Sequence, residues 1–277
     1  MKKEHNIKGN IKSIKQLSYV AHYDSELLTK GMRSRMDEDY LLGEGTDSDD
    51  YYSLYDKNNL IIEKQRLDWD NSVFEKIIFV RSPVGKNIET IVYDAHSKLK
   101  SKAKEYYDEN DYLVKTCFFN SNDSLDMEFT FEYDLNGNRV KSSTYDAQDG
   151  DLFSQNINSY DKNNNLIESE IFSSINSNLT LINKTIYKYD EKSQIIEELS
   201  FDTSLNIEEK KLFEYDKFGS VLEICTYNSE FELIKKIKNK YDYDEKGNWI
   251  KCTVFIEKEL GQLHPIYIVE RGINYLD

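Results

Sequence analysis

Proline, cysteine, histidine and tryptophan are scarce in this chain, at 2, 3, 4 and 2 of 277 residues. Two prolines leave no rigid or low-complexity linker that could divide the chain into separate domains. Cys117, Cys225 and Cys252 are an odd set without metal-type spacing, so neither a disulfide framework nor a zinc site is expected. His5, His22, His96 and His264 fall at unrelated places and give no metal trio or catalytic base. Gly-rich phosphate loops, nucleophile-elbow serines and zinc spacings are missing too. The expectation is a protein with no catalytic residue, no cofactor and no metal. Long apolar runs are lacking, including behind Met1–Asn6, which excludes a signal peptide or a membrane-spanning helix in the sequence as given. That reads as a cytoplasmic protein, with a periplasmic or envelope-anchored alternative if a signal once preceded it.

Cations are also in deficit. Lys and Arg number 36 against 51 Asp and Glu, a net charge of -15. Phosphate backbones and anionic membranes are bound by clustered cations, so nucleic acid and membrane insertion are not expected as partners. What the chain has in plenty is Tyr (21) and Phe (13), and aromatic richness favours strands.

The aromatics recur with a period. Tyr-Asp pairs stand at Tyr55, Tyr107, Tyr133, Tyr160, Tyr189, Tyr215 and Tyr243, each followed by Asp, and Arg81-Ser82 fills the one double gap. The unit is 26–29 residues and occurs about eight times. Four residues after each anchor come Asn59, Gly85, Asp111, Gly137, Asn164, Ser193, Gly219 and Gly247, types that tolerate a left-handed backbone. Each Asp-x-x-Gly-like tetrad therefore predicts a type I hairpin turn with a bulge, and positive φ at Gly137, Gly219 and Gly247. A second turn in each unit is rich in Asn, Ser and Asp, as at Asn120–Asp123 and Asn228–Glu230.

Two further rows run through the repeat. Seven residues after the anchor stand Ile62, Ile88, Val114, Val140, Ile167, Ile196, Leu222 and Ile250. Twelve after it stand Leu67, Tyr93, Phe119, Tyr145, Phe172, Phe201, Tyr227 and Phe255. Their odd separation means either that a bulge lies between them or that each row packs on its own side of the sheet. Phe79, Phe131, Tyr187, Phe213 and Tyr241, two residues before an anchor, share the face of the anchor tyrosines. The fold class is all-β: tandem antiparallel β-hairpins forming one extended, twisted or curled meander sheet.

The ends depart from the pattern. Residues 1–52 read as an N-terminal half-repeat and irregular acidic cap. Lys8-Gly9-Asn10-Ile11 looks like a half-unit turn and strand, with Lys12 in the aliphatic position. The hairpin repeats occupy 53–257, and 258–277 reads as a C-terminal capping strand.

The units Tyr133-Asp134-Leu135-Asn136-Gly137-Asn138 and Tyr243-Asp244-Glu245-Lys246-Gly247-Asn248 resemble the YD repeat of the RHS family. The stretch from Tyr241 to Arg271-Gly272-Ile273-Asn274-Tyr275 is similar to small stand-alone YD-repeat proteins common in Bacteroidota. The resemblance covers residues 53 to 275. It implies a curled β-sheet, since large RHS proteins curl their repeats into a shell around a toxin; eight units are expected to be too few to close one.

Two functions follow as expectations. The first is a non-catalytic protein-binding module for a basic protein, in the manner of an immunity or antitoxin protein masking its toxin. Its contact residues are expected in the segment that breaks the repeat: Asp37, Glu38, Asp39, Asp47, Asp49 and Asp50. The second is a cell-envelope structural or glycan-binding protein, suggested by the tyrosine rows, although packing is the commoner use of such rows. The loop Asp134–Asn138 superficially matches the start of an EF-hand, but Tyr145 stands where the twelfth-position Glu is required, so turn capping is the expected use of the aspartates.

Overall fold

The computed structural model describes residues 7–34, 50–175, 178–259 and 261–276. Nineteen strands and no helix lie within them. They are β1 (Ile11–Asp24), β2 (Leu27–Arg33), β3 (Asp50–Tyr55), β4 (Ile61–Leu67), β5 (Val73–Arg81), β6 (Asn87–Asp94), β7 (Leu99–Tyr107), β8 (Leu113–Asn120), β9 (Leu125–Tyr133) and β10 (Arg139–Asp146). After them come β11 (Leu152–Tyr160), β12 (Leu166–Ile175), β13 (Asn178–Tyr189), β14 (Ile195–Phe201), β15 (Ile207–Tyr215), β16 (Val221–Asn228), β17 (Leu233–Tyr243), β18 (Trp249–Glu259) and β19 (Gln262–Tyr275). The chain is all-β and every pairing is antiparallel, as the short connections of the repeat require.

From β3 to β19 each strand pairs with the next. The expected open sheet is corrected at its two ends. One edge of β1 pairs with β19, from Ile11↔Tyr275 to Val20↔Tyr267. Its other edge pairs with β3, from Ser13↔Leu54 to Gln16↔Tyr51, and farther along with β2, from Tyr19↔Arg33 to Asp24↔Leu27. All strands but β2 thus form a closed barrel of eighteen. The segments 1–52 and 258–277 supply β1 and β19, which meet each other as wall strands.

Curvature comes from the bulges. At every Tyr-Asp hairpin the register skips one residue on the returning strand, as between Tyr215↔Val221 and Glu214↔Glu223. The skipped residues are Ile62, Ile88, Val114, Val140, Ile167, Ile196, Leu222 and Ile250, the whole seventh row. A bulge therefore accounts for the odd spacing. Similar skips occur at the other turns, as at Thr226/Tyr227 against Leu233/Lys235. Each bulge bends its strand and adds twist, and repetition around the sheet turns a meander into a ring. Eighteen strands spaced about 4.8 Å apart and tilted roughly 40° give a circumference near ~110 Å, too wide for side chains to fill.

The turns repeat closely. Asn59, Gly85, Asp111, Gly137, Asn164, Ser193, Gly219 and Gly247 all have positive φ, between 60° and 87°. In each, the anchor-following residue accepts a bond from the left-handed residue and donates to the carbonyl beyond it, as in Gly137 N to Asp134 O (3.1 Å) and Asp134 N to Asn138 O (2.9 Å).

The joint between β19 and β1 has the same plan without covalent continuity. Leu276 N donates to Asn10 O at 2.8 Å, Gly9 has φ +94°, and Lys12 is the skipped residue between Ile11 and Ser13. The two ends of the described chain complete one further hairpin turn. The half-unit expected at Lys8–Ile11 finds its other half at Tyr275–Leu276.

The wall has two faces. One carries Phe213, Tyr215, Ile224, Ile237, Tyr241, Cys252, Val254 and Val269, packed in a cluster lying along the sheet. Burying such an Ile or Val contributes about 1.5–3 kcal/mol. The other face carries alternating Lys and Glu. Most strand residues on both faces are only half-buried, so both faces contact solvent.

Candidate functional site

Five of the anchor tyrosines are committed to the wall. The hydroxyls of Tyr107, Tyr133, Tyr160, Tyr189 and Tyr215 donate to the carbonyls of Asn87, Leu113, Arg139, Leu166 and Ile195, at 2.7–3.0 Å. Arg81, the substitute anchor, reaches the equivalent Ile61 carbonyl with its guanidinium at 2.8 Å. This ladder ties each unit to the one before it and leaves the hydroxyls occupied.

The strand carboxylates are likewise paired. Lys115 meets Glu128, Lys184 meets Glu168 and Glu170, Lys188 and Lys210 meet Glu197, and Lys236 and Lys238 meet Glu223. All of these lie on the face opposite the tyrosine ladder, one stretch of alternating charge. The tyrosine face also carries charge, including Arg66–Glu75 and Lys211–Glu198. Neither face offers the unbroken apolar band that a lipid-facing barrel wall needs.

The turn aspartates act as caps. Asp134 Oδ1 accepts the backbone N–H of Asn136 (2.9 Å) and Asn138 (2.8 Å), and its Oδ2 accepts the Asn138 amide (3.0 Å). Asp161 and Asp202 repeat the arrangement. Backbone N–H donation from Asn165 and Asn206 holds these two carboxyls below the usual carboxylate range. Among the described residues no group of three or more His, Cys, Asp or Glu is placed to hold a metal.

The thiols are free and muted. Cys117 and Cys225 lie on the Lys–Glu face and Cys252 on the tyrosine face. Burial raises all three above the ordinary thiol range, with neighbouring Glu223 helping to push Cys225 to about 11, so each stays protonated near neutrality.

The rims differ sharply. The Tyr-Asp turns (56–60, 82–86, 108–112, 134–138, 161–165, 190–194, 216–220 and 244–248) make one rim and hold eleven carboxylates with six lysines, Lys57, Lys86, Lys162, Lys192, Lys217 and Lys246. The described turns at the far rim (24–26, 68–72, 94–98, 120–124, 146–151, 202–206 and 228–232) hold twelve carboxylates and a single lysine, Lys98. Among the described residues, Asp149, Asp151, Asp202, Glu230 and Glu232 form no ion pair. The unbalanced charge of the described barrel is therefore concentrated at one end.

Of the contact residues expected from sequence, Asp37, Glu38, Asp39, Asp47 and Asp49 lie outside the described residues. Their segment leaves after Ser34 and returns at Asp50, both at the far rim. Asp50 itself stands apart from any exposed acidic surface. It is 3% exposed, takes the Ser18 N–H at 2.5 Å and the Arg33 Nε at 3.0 Å, and is held in a buried ion pair with Arg33. Burial lifts its carboxyl above the ordinary range, against the pull of Arg33. Asp50 fastens β3 to β1 and β2.

Two shallow grooves mark the surface. One, of about 470 Å³, runs beside Gly272 between Lys15, Lys251 and Glu270. The other, of about 370 Å³, lies at the far rim and is lined by Asp146, Asp149, Asp151, Leu152, Phe153, Ser174 and Leu179.

No protein-family model matches the chain, and no curated protein matches it either. Among solved structures it is similar to a porin-like protein from Bacteroides uniformis, at 9% identity over 95% of this chain and 98% of that one, with a TM-score of 0.44. It is similar to a porin-like protein from Bacteroides vulgatus at 11% identity over 97% and 100%, TM-score 0.33. It also resembles part of TcdB2-TccC3, at 10% identity over 76% of this chain and 15% of that one, TM-score 0.32. Superpositions this loose assign no activity.

Proposed function

We propose that this protein is a non-catalytic β-barrel of YD-type repeats that binds a basic protein partner, in the masking manner of an immunity protein. The observation that carries the reading is the charge division between the rims. Carboxylates in the wall are neutralised by lysines, whereas at the far rim Asp149, Asp151, Asp202, Glu230 and Glu232 form no ion pair among the described residues. Unscreened charge collected at one end of a rigid body steers and orients an oppositely charged partner. The segment bearing Asp37, Glu38, Asp39, Asp47 and Asp49 departs from and returns to that same end. The polarity of both wall faces supports a barrel that sits in water. The glycan-binding alternative draws no support from the tyrosine ladder, whose hydroxyls already serve neighbouring carbonyls.

The test uses oligolysine as a model basic partner. Three far-rim carboxylates (Asp68, Asp149, Glu230) and, separately, three opposite-rim carboxylates (Glu109, Glu191, Glu245) are changed to their amides, which alters net charge equally. The far-rim set is expected to slow association and flatten its salt dependence, and neutralising Asp47 and Asp49 to add to that effect. Equal responses from the two sets would reduce the interaction to net charge and remove the reading.

A further inference from the structure

The far rim carries exposed apolar side chains between its carboxylates. Phe153 is 58% exposed, Leu205 56%, Phe231 55% and Ile234 59%. Leu179, at 44%, faces Phe153 across the groove that also holds Asp146, Asp149 and Asp151. These residues occupy one arc. The β10–β11, β12–β13, β14–β15 and β16–β17 connections follow one another around the same rim, since β11 pairs with β12, β13 with β14 and β15 with β16.

Leu205 and Phe231 stand out within this arc. They hold the left-handed position of their turns, with φ 63° and 62°. In all eight Tyr-Asp turns that position is Gly, Asn, Asp or Ser. A bulky side chain there is sterically unfavourable, and neither residue recovers the cost by burial. Exposed apolar groups gathered in one region of a soluble protein mark an interaction surface.

We infer that the β10–β17 arc of the far rim is the docking surface, and that its occupant is a protein segment combining cationic with apolar side chains. This rests on the proposed binding of a basic partner and goes further by naming the surface and the second half of the chemistry. The charge selects a cationic occupant: Asp149, Asp151, Asp202, Glu230 and Glu232 have no ion pair among the described residues. The apolar groups select one that is not merely cationic. In the groove, a Lys or Arg stem lies along Phe153 and Leu179 while its head reaches Asp149 and Asp151. Leu205, Phe231 and Ile234 receive the apolar side chains of the same segment. A second copy of this chain is disfavoured as occupant, because two such rims repel.

The experiment compares two peptides of equal charge on the full chain: oligolysine, and a peptide of twice the length that alternates the same number of lysines with phenylalanine. The alternating peptide is expected to bind about tenfold tighter, a gain of the size that apolar anchors give in interfaces. Phe153→Ser combined with Leu205→Asn and Phe231→Asn is expected to abolish that gain and leave oligolysine binding unchanged. Leu135→Ser on the opposite rim is expected to change neither. If oligolysine still distinguishes the rims but the alternating peptide gains nothing, or its gain survives the triple variant, the docking surface is overturned while the basic-partner reading stands. If neither peptide distinguishes the rims, both fall. Sedimentation of the chain alone reports self-association, and a dimer lost in the triple variant would replace the basic segment with a second copy.

Discussion

Asn248 holds Lys8 by both of its backbone groups: Lys8 N–H donates to Asn248 Oδ1 at 2.7 Å, and Asn248 Nδ2 donates to the Lys8 carbonyl at 2.9 Å. On the other side, Asn59 does the same for Ile11 N–H (2.8 Å) and the Gly9 carbonyl (3.0 Å). The split turn is thus clasped between its two neighbours on the rim. Asn248→Ala and Asn59→Ala are each expected to destabilise by about 1–2 kcal/mol, the value of a lost pair of partly buried hydrogen bonds. Hydrogen exchange is expected to show the loss first in β1. Uniform loss of protection around the ring would contradict a seam at this joint.

The turn caps set the response to acid. Backbone N–H donors of Lys98, Asn165 and Asn206 depress the carboxyls of Asp94, Asp161 and Asp202. A depressed folded-state pKa means that the stabilisation is present above the unfolded value, near ~4, and is lost as pH falls through the folded value. The Tm is expected to hold between about pH 7 and 5 and to fall below about 4. Asn caps the same geometry natively, as Asn120 does for Asn122 and Ser124. The triple Asp→Asn variant at 94, 161 and 202 should therefore keep the fold with a shallower acid slope. An unchanged slope would place the acid sensitivity elsewhere.

Gly247 has φ +77°, and a Cβ there would meet the Lys8 Nζ at 3.1 Å. The lysine tip can move, so the cost of substitution lies in the backbone. Gly247→Val is expected to lower stability by about 1–3 kcal/mol, while Lys246→Val stays within about 0.5 kcal/mol. Equal melting temperatures would contradict the left-handed turn.

Leu205 and Phe231 predict the opposite sign. Replacing either with Gly relieves a left-handed bulky residue and removes no buried contact. Thermal melts are expected to show a gain of up to about 1 kcal/mol each. Destabilisation would show that these side chains pack in the folded state after all.

The hairpin repeat is legible in the sequence because its constraint is local: in all eight Tyr-Asp-type units the left-handed residue four positions after the anchor is Gly, Asn, Asp or Ser. The seventh row was visible, but spacing alone could not choose between a bulge and a second packed side; register did. Closure was not legible, since it depends on Tyr275 and Leu276 meeting Lys8–Ile11 from the opposite end of the chain. Asp50 misled for a related reason. In sequence it continues the acidic run at Asp47 and Asp49, and only the β2 register brings Arg33 against it. The rim asymmetry was written in the turns, as lysines in one set and almost none in the other, but it emerges only once alternate turns are known to share an end. The apolar residues at Leu205 and Phe231 were readable by aligning the second turns as closely as the first.

The seam has a kinetic consequence. Each hairpin joins residues close in sequence, whereas Asn274 and Ser13, hydrogen-bonded across the seam at 2.9 Å, are 261 positions apart. Closing so long a loop costs about 2 kcal/mol more than closing a twenty-residue one. Hairpins and their stacking therefore assemble ahead of the ring, and β1 seats last between β19 and β3. Until it seats, those two strands are bare edges, each shaped to accept β1 and unable to tell its own from a neighbour's. At high protein concentration during refolding the same register is expected to join separate molecules through exchanged β1 strands, giving domain-swapped dimers that refolding at low concentration avoids.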